Sequence, residues 1–265
     1  MLLAVDIGNT RVGCALFERE EPVAVWGIHT DPDRAASAYG EDLRRAFNDA
    51  GMAPGAVAGA LASSVVRGMI DRIGEAVEAV CGVGLTAADV SMDLGIRPGV
   101  PKPESVGVDR LLAAGEAHRI HEGSLVLACL GTAVTVDLVS SDGRFLGGTI
   151  APGLGTALRS LHGQTSLLPS VDLAKPESVL GRGTRECIRA GVVYGAAGGI
   201  DRLSEELSLL VEDVPKLVLA GGDAGFIAPY LRTPHTIEPN LVLRGLASTY
   251  RRNAGSYGLP VARES

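Results

Sequence analysis

Asp6 lies one residue before the end of the apolar run Leu2–Ile7, which is followed at once by Gly8, Asn9, Thr10 and Arg11. A turn of this kind brings backbone N–H groups and a hydroxyl close to a phosphate, because glycine has no side chain to block the approach. A carboxylate at its entrance can hold magnesium beside that phosphate, directly or through water. The same context recurs where Leu125–Leu130 runs into Gly131, Thr132 and Ala133, with Asp137 in the next apolar run. Two such turns suggest two related halves facing one nucleotide. Taken alone, the first turn also reads as a polar hairpin capped by Asp6. Asp137 is either a metal-binding or structural carboxylate or a residue facing solvent on a sheet edge, with a structural role preferred.

Three further segments permit chemistry. Gly107-Val108-Asp109-Arg110 opens a helix after a proline-rich loop. By itself it is an ordinary acidic helix start; functionally, Asp109 would be a general base for a substrate hydroxyl and Arg110 would hold an anionic group. Leu219–Ala224 places Gly221-Gly222-Asp223 between strand and helix. It would seat a flat adenine or ribose, or simply make a tight turn with Asp223 as N-cap. Gly147–Leu154 is a strand end leading to a helix, again open to close backbone approach. The histidines at 29, 118, 121, 162 and 235 form no pair at metal-ligand spacing.

These residues must be positioned by a regular scaffold. Runs at 2–7, 12–17 and 23–28 predict three strands, and 33–50 a helix with Asp31 or Asp33 at its start and Gly51 past its end. A strand at 56–63 and a helix at 69–80 follow, then a loop at 93–106 and a helix at 108–121. The order then repeats, with strands at 125–130, 133–139 and 145–150 and a helix at 154–161. A loop at 162–181 precedes a glycine-interrupted helix at 186–211, a strand at 217–220 and a helix at 241–250. Strand triplets followed by helices, twice, describe α/β halves with mixed sheets, with a boundary near 115–124. Residues 1–117 and 118–265 are taken as the two domains.

The 265 residues are 46% hydrophobic and 21% charged, enough for a large core and unlike a disordered chain. The net charge of -7 includes no basic stripe with interleaved aromatics, so nucleic acid is not an expected partner. The four cysteines lie far apart and read as buried thiols in a reducing compartment. No apolar run reaches the ~18 residues of a membrane helix, and the start lacks the pattern of a secretory leader. A cytoplasmic protein is expected, without membrane attachment.

In combination these segments resemble the type III pantothenate kinases over nearly the whole chain. The specific parts are Gly107-Val108-Asp109-Arg110 and Gly147-Gly148-Thr149-Ile150-Ala151-Pro152-Gly153. Asp6–Thr10, Gly131–Asp137, Leu167-Leu168-Pro169 and Gly221–Asp223 add to the match. The resemblance implies two duplicated actin-like ATPase (ribonuclease H-like) domains, each a mixed sheet flanked by helices, with an inter-domain cleft. It implies phosphorylation of pantothenate by ATP, the first step towards coenzyme A, by a homodimer that needs Mg2+ and a monovalent cation, K+ or NH4+. ATP would contact Asp6, Ile7, Gly8, Asn9, Thr10, Arg11, Val12, Gly13 and Thr132. Pantothenate would contact Gly107, Val108, Asp109, Arg110 and Thr184, with Asp109 as proton acceptor.

Two positions depart from the family pattern. Cys129 stands where the family has the aspartate that binds the monovalent cation, and hard cations prefer oxygen to a thiol. Val100 aligns with a substrate-contacting aromatic residue. The rival readings are a catalytically weakened ligand-binding or regulatory homologue and a kinase of another small hydroxy acid. Small residues on the helix around Arg189–Gly199 permit close contact with a second copy.

Overall fold

The computed structural model describes residues 1–257 and 259. In chain order the elements are β1 (Leu2–Ile7), β2 (Arg11–Glu18), β3 (Glu21–His29), α1 (Ala36–Asp49), β4 (Gly59–Ser64), α2 (Met69–Cys81), β5 (Leu85–Ala87) and β6 (Arg97–Pro98). Next come α3 (Val108–Ile120), β7 (Leu125–Leu130), β8 (Ala133–Val139), β9 (Arg144–Pro152), α4 (Leu154–Gly163) and α5 (Thr184–Ser208). The last are β10 (Lys216–Ala220), α6 (Ala224–Ile227), β11 (His235–Ile237) and α7 (Leu241–Arg252). They form two compact units. Unit 1 holds residues 1–97 and 101–116 and the chain from Leu241 onward; unit 2 holds 98–100 and 117–240.

The sheet of unit 1 has the order β3-β2-β1-β4-β5, and that of unit 2 the order β11-β10-β7-β8-β9-β6. Counted from its own first strand, each contains the sequence third-second-first-fourth-fifth. The duplication inferred from the strand triplets is thus present in the topology. β7 is apolar throughout and β1 apolar except for Asp6, because each lies inside its sheet, antiparallel to the following strand and parallel to β4 or β10. β3 is an edge strand, and its exposure alternates accordingly.

In unit 1, α1 and α2 cover one face of the sheet. Tyr39, Leu43 and Phe47 of α1 and Met69, Ile73, Ala76 and Val77 of α2 join Leu3, Val5, Val12 and Leu16 in one core. The spacing is that of an amphipathic helix face. α2 ends at Gly82 in the left-handed region, a usual helix stop. α7 packs on β1, β2 and β4, and its Gly245 lies so close to the Leu112 carbonyl of α3 that a Cβ would come within 2.5 Å of it. In unit 2, α5 and α6 pack Val193, Ala197, Ile200, Ala224 and Ile227 against Val126, Ala128, Val134, Val136 and Leu138.

Several local expectations need correction. α1 begins at Ala36, not Asp33, because the Asp31 carboxylate accepts from the Asp33 N–H and closes a separate turn. Residues 54–56 are a helical turn and the strand starts at Gly59. Short strands β5, β6 and β11 occupy stretches too brief to show a period. α5 begins at Thr184 and ends at Ser208. Cys14 and Cys81 are buried, but Cys129 is partly exposed and Cys187 is exposed. Among the described residues no helix is long and apolar enough to cross a membrane.

Candidate active site

In unit 1, β1 delivers Asp6 to the lip of the Gly8–Arg11 turn. The Gly8 N–H donates to the Arg11 carbonyl at 3.0 Å, and the Thr30 hydroxyl donates to the Gly8 carbonyl at 2.7 Å. Thr30 N–H also reaches the Thr10 carbonyl at 3.1 Å. The turn is therefore tied to the segment after β3 before any ligand arrives. The Ser63 hydroxyl, fully buried on the neighbouring β4, donates to Asp6 Oδ1 at 2.7 Å.

Burial pushes the Asp6 carboxyl up to about 6; the Ser63 hydrogen bond opposes this and the charge of Asp109 adds to it. Asp6 and Asp109, far apart in sequence, thus lie within reach of each other's field. Asp109 sits in the first turn of α3. Burial raises its carboxyl as well, opposed by the Arg110 N–H and guanidinium. Its Oδ1 is buried without a hydrogen-bond partner among the described residues. A carboxylate oxygen kept dry and unpaired is costly, and is an available acceptor for a proton brought by a ligand. The Gly107 carbonyl accepts from Arg110 N–H at 3.1 Å, which starts the helix.

In unit 2, the Gly131–Thr132 turn is gripped by α4. The Thr132 carbonyl accepts from the Gly153 N–H at 3.0 Å and from the Thr156 hydroxyl at 2.7 Å. Gly131 and Thr132 themselves face solvent. Gly221, at φ 91°, lies against the Leu130 backbone in the space a side chain would need, and the Asp223 N–H reaches the Leu130 carbonyl at 3.3 Å. Glycine turns after β7 and β10 and the start of α4 are thus drawn together around the end of β7. Asp223 occupies the N-cap position of α6 but makes no side-chain cap, contrary to expectation; burial raises its carboxyl. Asp137 is fully buried on β8, which has β7 and β9 on either side, so the edge alternative fails.

Cys129 pairs across the sheet with Thr135 and with Ala220, and the buried Thr135 hydroxyl lacks a hydrogen-bond partner among the described residues. Val100 lies against β9, held by the Gly99 N–H to the Phe145 carbonyl at 2.8 Å, and its Cγ1 stands 3.6 Å from the position of a Cβ on Gly147. Thr184 is exposed at the start of α5. Among the described residues no group of three or more His, Cys, Asp or Glu could hold a metal. The Ser63 hydroxyl and the mutual influence of Asp6 and Asp109 depend on β4 and α3 coming to the end of β1. Ser63 lies in an Ala- and Ser-rich strand with no signal of its own.

A family model described as type III pantothenate kinase matches residues 2–206. The type III pantothenate kinase of Pelobacter propionicus is 35% identical over 257 residues, covering 96% of this chain and 100% of that protein. That of Anaeromyxobacter dehalogenans is 34% identical over 257 residues, with the same shares covered. Among solved structures, a conserved putative Baf family transcriptional activator from Campylobacter jejuni superposes with a TM-score of 0.58 at 18% identity, covering 95% of this chain and 98% of that one.

The raised Asp6 carboxyl makes a stability prediction. Its proton is held more tightly in the folded chain than in the unfolded one. Asp6 therefore costs stability progressively as pH rises from about 4 to about 6. Asp6→Asn is expected to stabilise the cation-free protein by about 1–2 kcal/mol at pH 8, allowing for partial solvent screening, with the gap closing below about pH 4. Urea unfolding of both proteins in EDTA across this range measures it. A variant less stable than the parent at pH 8 would mean that the carboxylate is a net stabiliser.

Proposed function

The chain belongs to the type III pantothenate kinase family, and on that premise we propose that it transfers the γ-phosphoryl group of ATP to the primary hydroxyl of pantothenate, in the cytoplasm, with Asp109 as proton acceptor. The observation that carries the residue assignment is the buried, unpaired Asp109 Oδ1 within the field of Asp6. Phosphoryl transfer asks a protein chiefly for positioning and charge neutralisation. Asp109 takes the hydroxyl proton as the oxygen attacks, and Arg110 next to it holds the pantothenate carboxylate. Gly107, Val108, Thr184 and Val100 complete the substrate contacts, Val100 by apolar packing alone. Asp6 and the segment Gly8–Gly13 receive the phosphates, and Thr132 is a further ATP contact.

Magnesium fits this assignment: it would be held by Asp6, directly or through water, where it supplies the positive charge that the desolvated carboxylate lacks. A monovalent cation fits less well. The thiol of Cys129 replaces an oxygen donor, and its cross-strand neighbour contributes one hydroxyl, Thr135 Oγ1. No step is assigned to such a cation.

A homodimer is supported by α5. Cβ atoms at Gly191, Gly195, Gly198 and Gly199 would meet nothing within 4 Å, so these glycines leave a bare helix face that no described residue fills. Leu167, at 92% exposure, and Val179 and Leu180, at nearly 70%, are apolar surface in the segment leading to the same helix. Neither rival reading has an observation in its favour.

The decisive test supplies ATP, magnesium and pantothenate and measures ADP release together with the product mass. The parent should yield phosphopantothenate. Asp109→Asn should keep its fold and lose about 100- to 10,000-fold in turnover; an unchanged rate removes Asp109 from the role. Replacing potassium by sodium should leave the parent's rate within about 2-fold, whereas Cys129→Asp should introduce a potassium dependence. A parent that stalls without potassium would show that other ligands serve the ion. Sedimentation at micromolar concentration should give a dimer, and a monomer there would count against a shared α5 face.

A further inference from the structure

The face of unit 1's sheet that carries Asp6 also carries a row of missing side chains. Ser63 pairs with Asp6, Asp6 with Gly13, and Gly13 with Gly27. Directly paired residues share a face, so the row reads hydroxyl, carboxylate, bare backbone, bare backbone from β4 to β3. Arg11 lies two positions from Gly13 on β2 and so belongs to the same face. Its side chain crosses to β3 and fills the space above Gly27, where a Cβ would overlap Nε, Cζ and Nη2 of the guanidinium. Over Gly13 the space is not filled in this way: the nearest atoms to a Cβ are the Asp6 carbonyl oxygen and Leu243 Cδ1, both at 3.8 Å.

β1 and β3 are two strand spacings apart, about 10 Å. A carboxylate and a guanidinium therefore lie on either side of Gly13, beside the Gly8–Arg11 turn, where Leu243 of α7 leaves room for a Cβ and no side chain is present. The row is buried at Ser63 and exposed at Gly27 and Arg11, so it opens towards solvent at the basic end. The Arg11 guanidinium makes no hydrogen bond or ion pair with a described residue. A cation with unused donors, on the same sheet face as a carboxylate suited to magnesium, matches a magnesium-bound polyphosphate in charge.

We propose that Gly27 is a positioning residue for the nucleotide: its missing side chain seats the Arg11 guanidinium on the Asp6 face, where Arg11 binds a non-bridging oxygen of the phosphate chain. This rests on the reading of Asp6–Gly13 as the ATP segment. It adds a side-chain role for Arg11 and a requirement on β3 that lies outside the segment.

The three atoms nearest to a Cβ at Gly27 all belong to the far end of the flexible Arg11 side chain, so Gly27→Val displaces that end first. Binding of ATP, ADP and AMP, each with magnesium, is measured by calorimetry for the parent, Gly27→Val, Arg11→Met and the double variant. ATP affinity should fall about 10-fold in each single variant and no further in the double, because both remove the same contact. AMP affinity and the KM for pantothenate should hold. Additive losses, an unchanged ATP affinity in Arg11→Met, or an equal fall for AMP would overturn the proposal. Should Gly27→Val fail to fold, Gly27→Ala carries the same overlap with one methyl group and is read in the same way. A parent that shows this nucleotide pattern yet leaves pantothenate untouched upholds the positioning and fails the kinase reading.

Discussion

The chemistry of unit 1 hangs on one electrostatic constraint: two carboxylates, Asp6 and Asp109, are held within each other's field where water is scarce. Like charges in such a setting repel and lose hydration. The fold offsets this only in part, with the Ser63 hydroxyl on Asp6 and the start of α3 at Asp109. The remaining deficit is one of positive charge. A ligand bearing a divalent cation and a proton to give up would relieve both carboxylates at once.

Holding Asp109 in place is the work of α3, and α3 is locked from behind. Glu116, nearly inaccessible to solvent, accepts from the Ser248 hydroxyl of α7 at 2.8 Å and lies 3.8 Å from the Arg244 Nε. The close passage of Gly245 over the Leu112 carbonyl fixes the same crossing sterically. A buried ionic contact is weak evidence for net stability. Its directional bonds and the glycine contact together leave α3 little freedom to slide or turn, which the role proposed for Asp109 on its first turn requires.

The strand triplets, the long helices and the duplicated order were legible because burial imposes patterns on sequence: an apolar run at β7 and one interrupted only by Asp6 at β1, and i, i+4 spacing in α2. β5, β6 and β11 were not, being only two or three residues long and held by neighbours rather than by pattern. For the candidate site, the glycine turns announced themselves through local spacing. The electrostatic pairing of Asp6 with Asp109 did not, since it is created by β1 and α3 converging from distant parts of the chain. Gly27 escaped for a related reason. In an alternating edge strand it looks like a weak residue, and its meaning lies in an arginine two strand positions away on a different strand.

The return of α7 to β1, β2 and β4 has a consequence for synthesis. Unit 2 draws almost all of its residues from one continuous stretch, 117–240, whereas unit 1 combines the beginning of the chain with residues from Leu241 onward. The usual order, in which the part translated first also folds first, cannot apply in full. The sheet that carries Asp6 lacks its α7 cover until Leu241–Arg252 has left the ribosome. The later-translated unit therefore has its complete set of residues before the earlier one does. During that interval the first-made half is the one that depends on protection from aggregation.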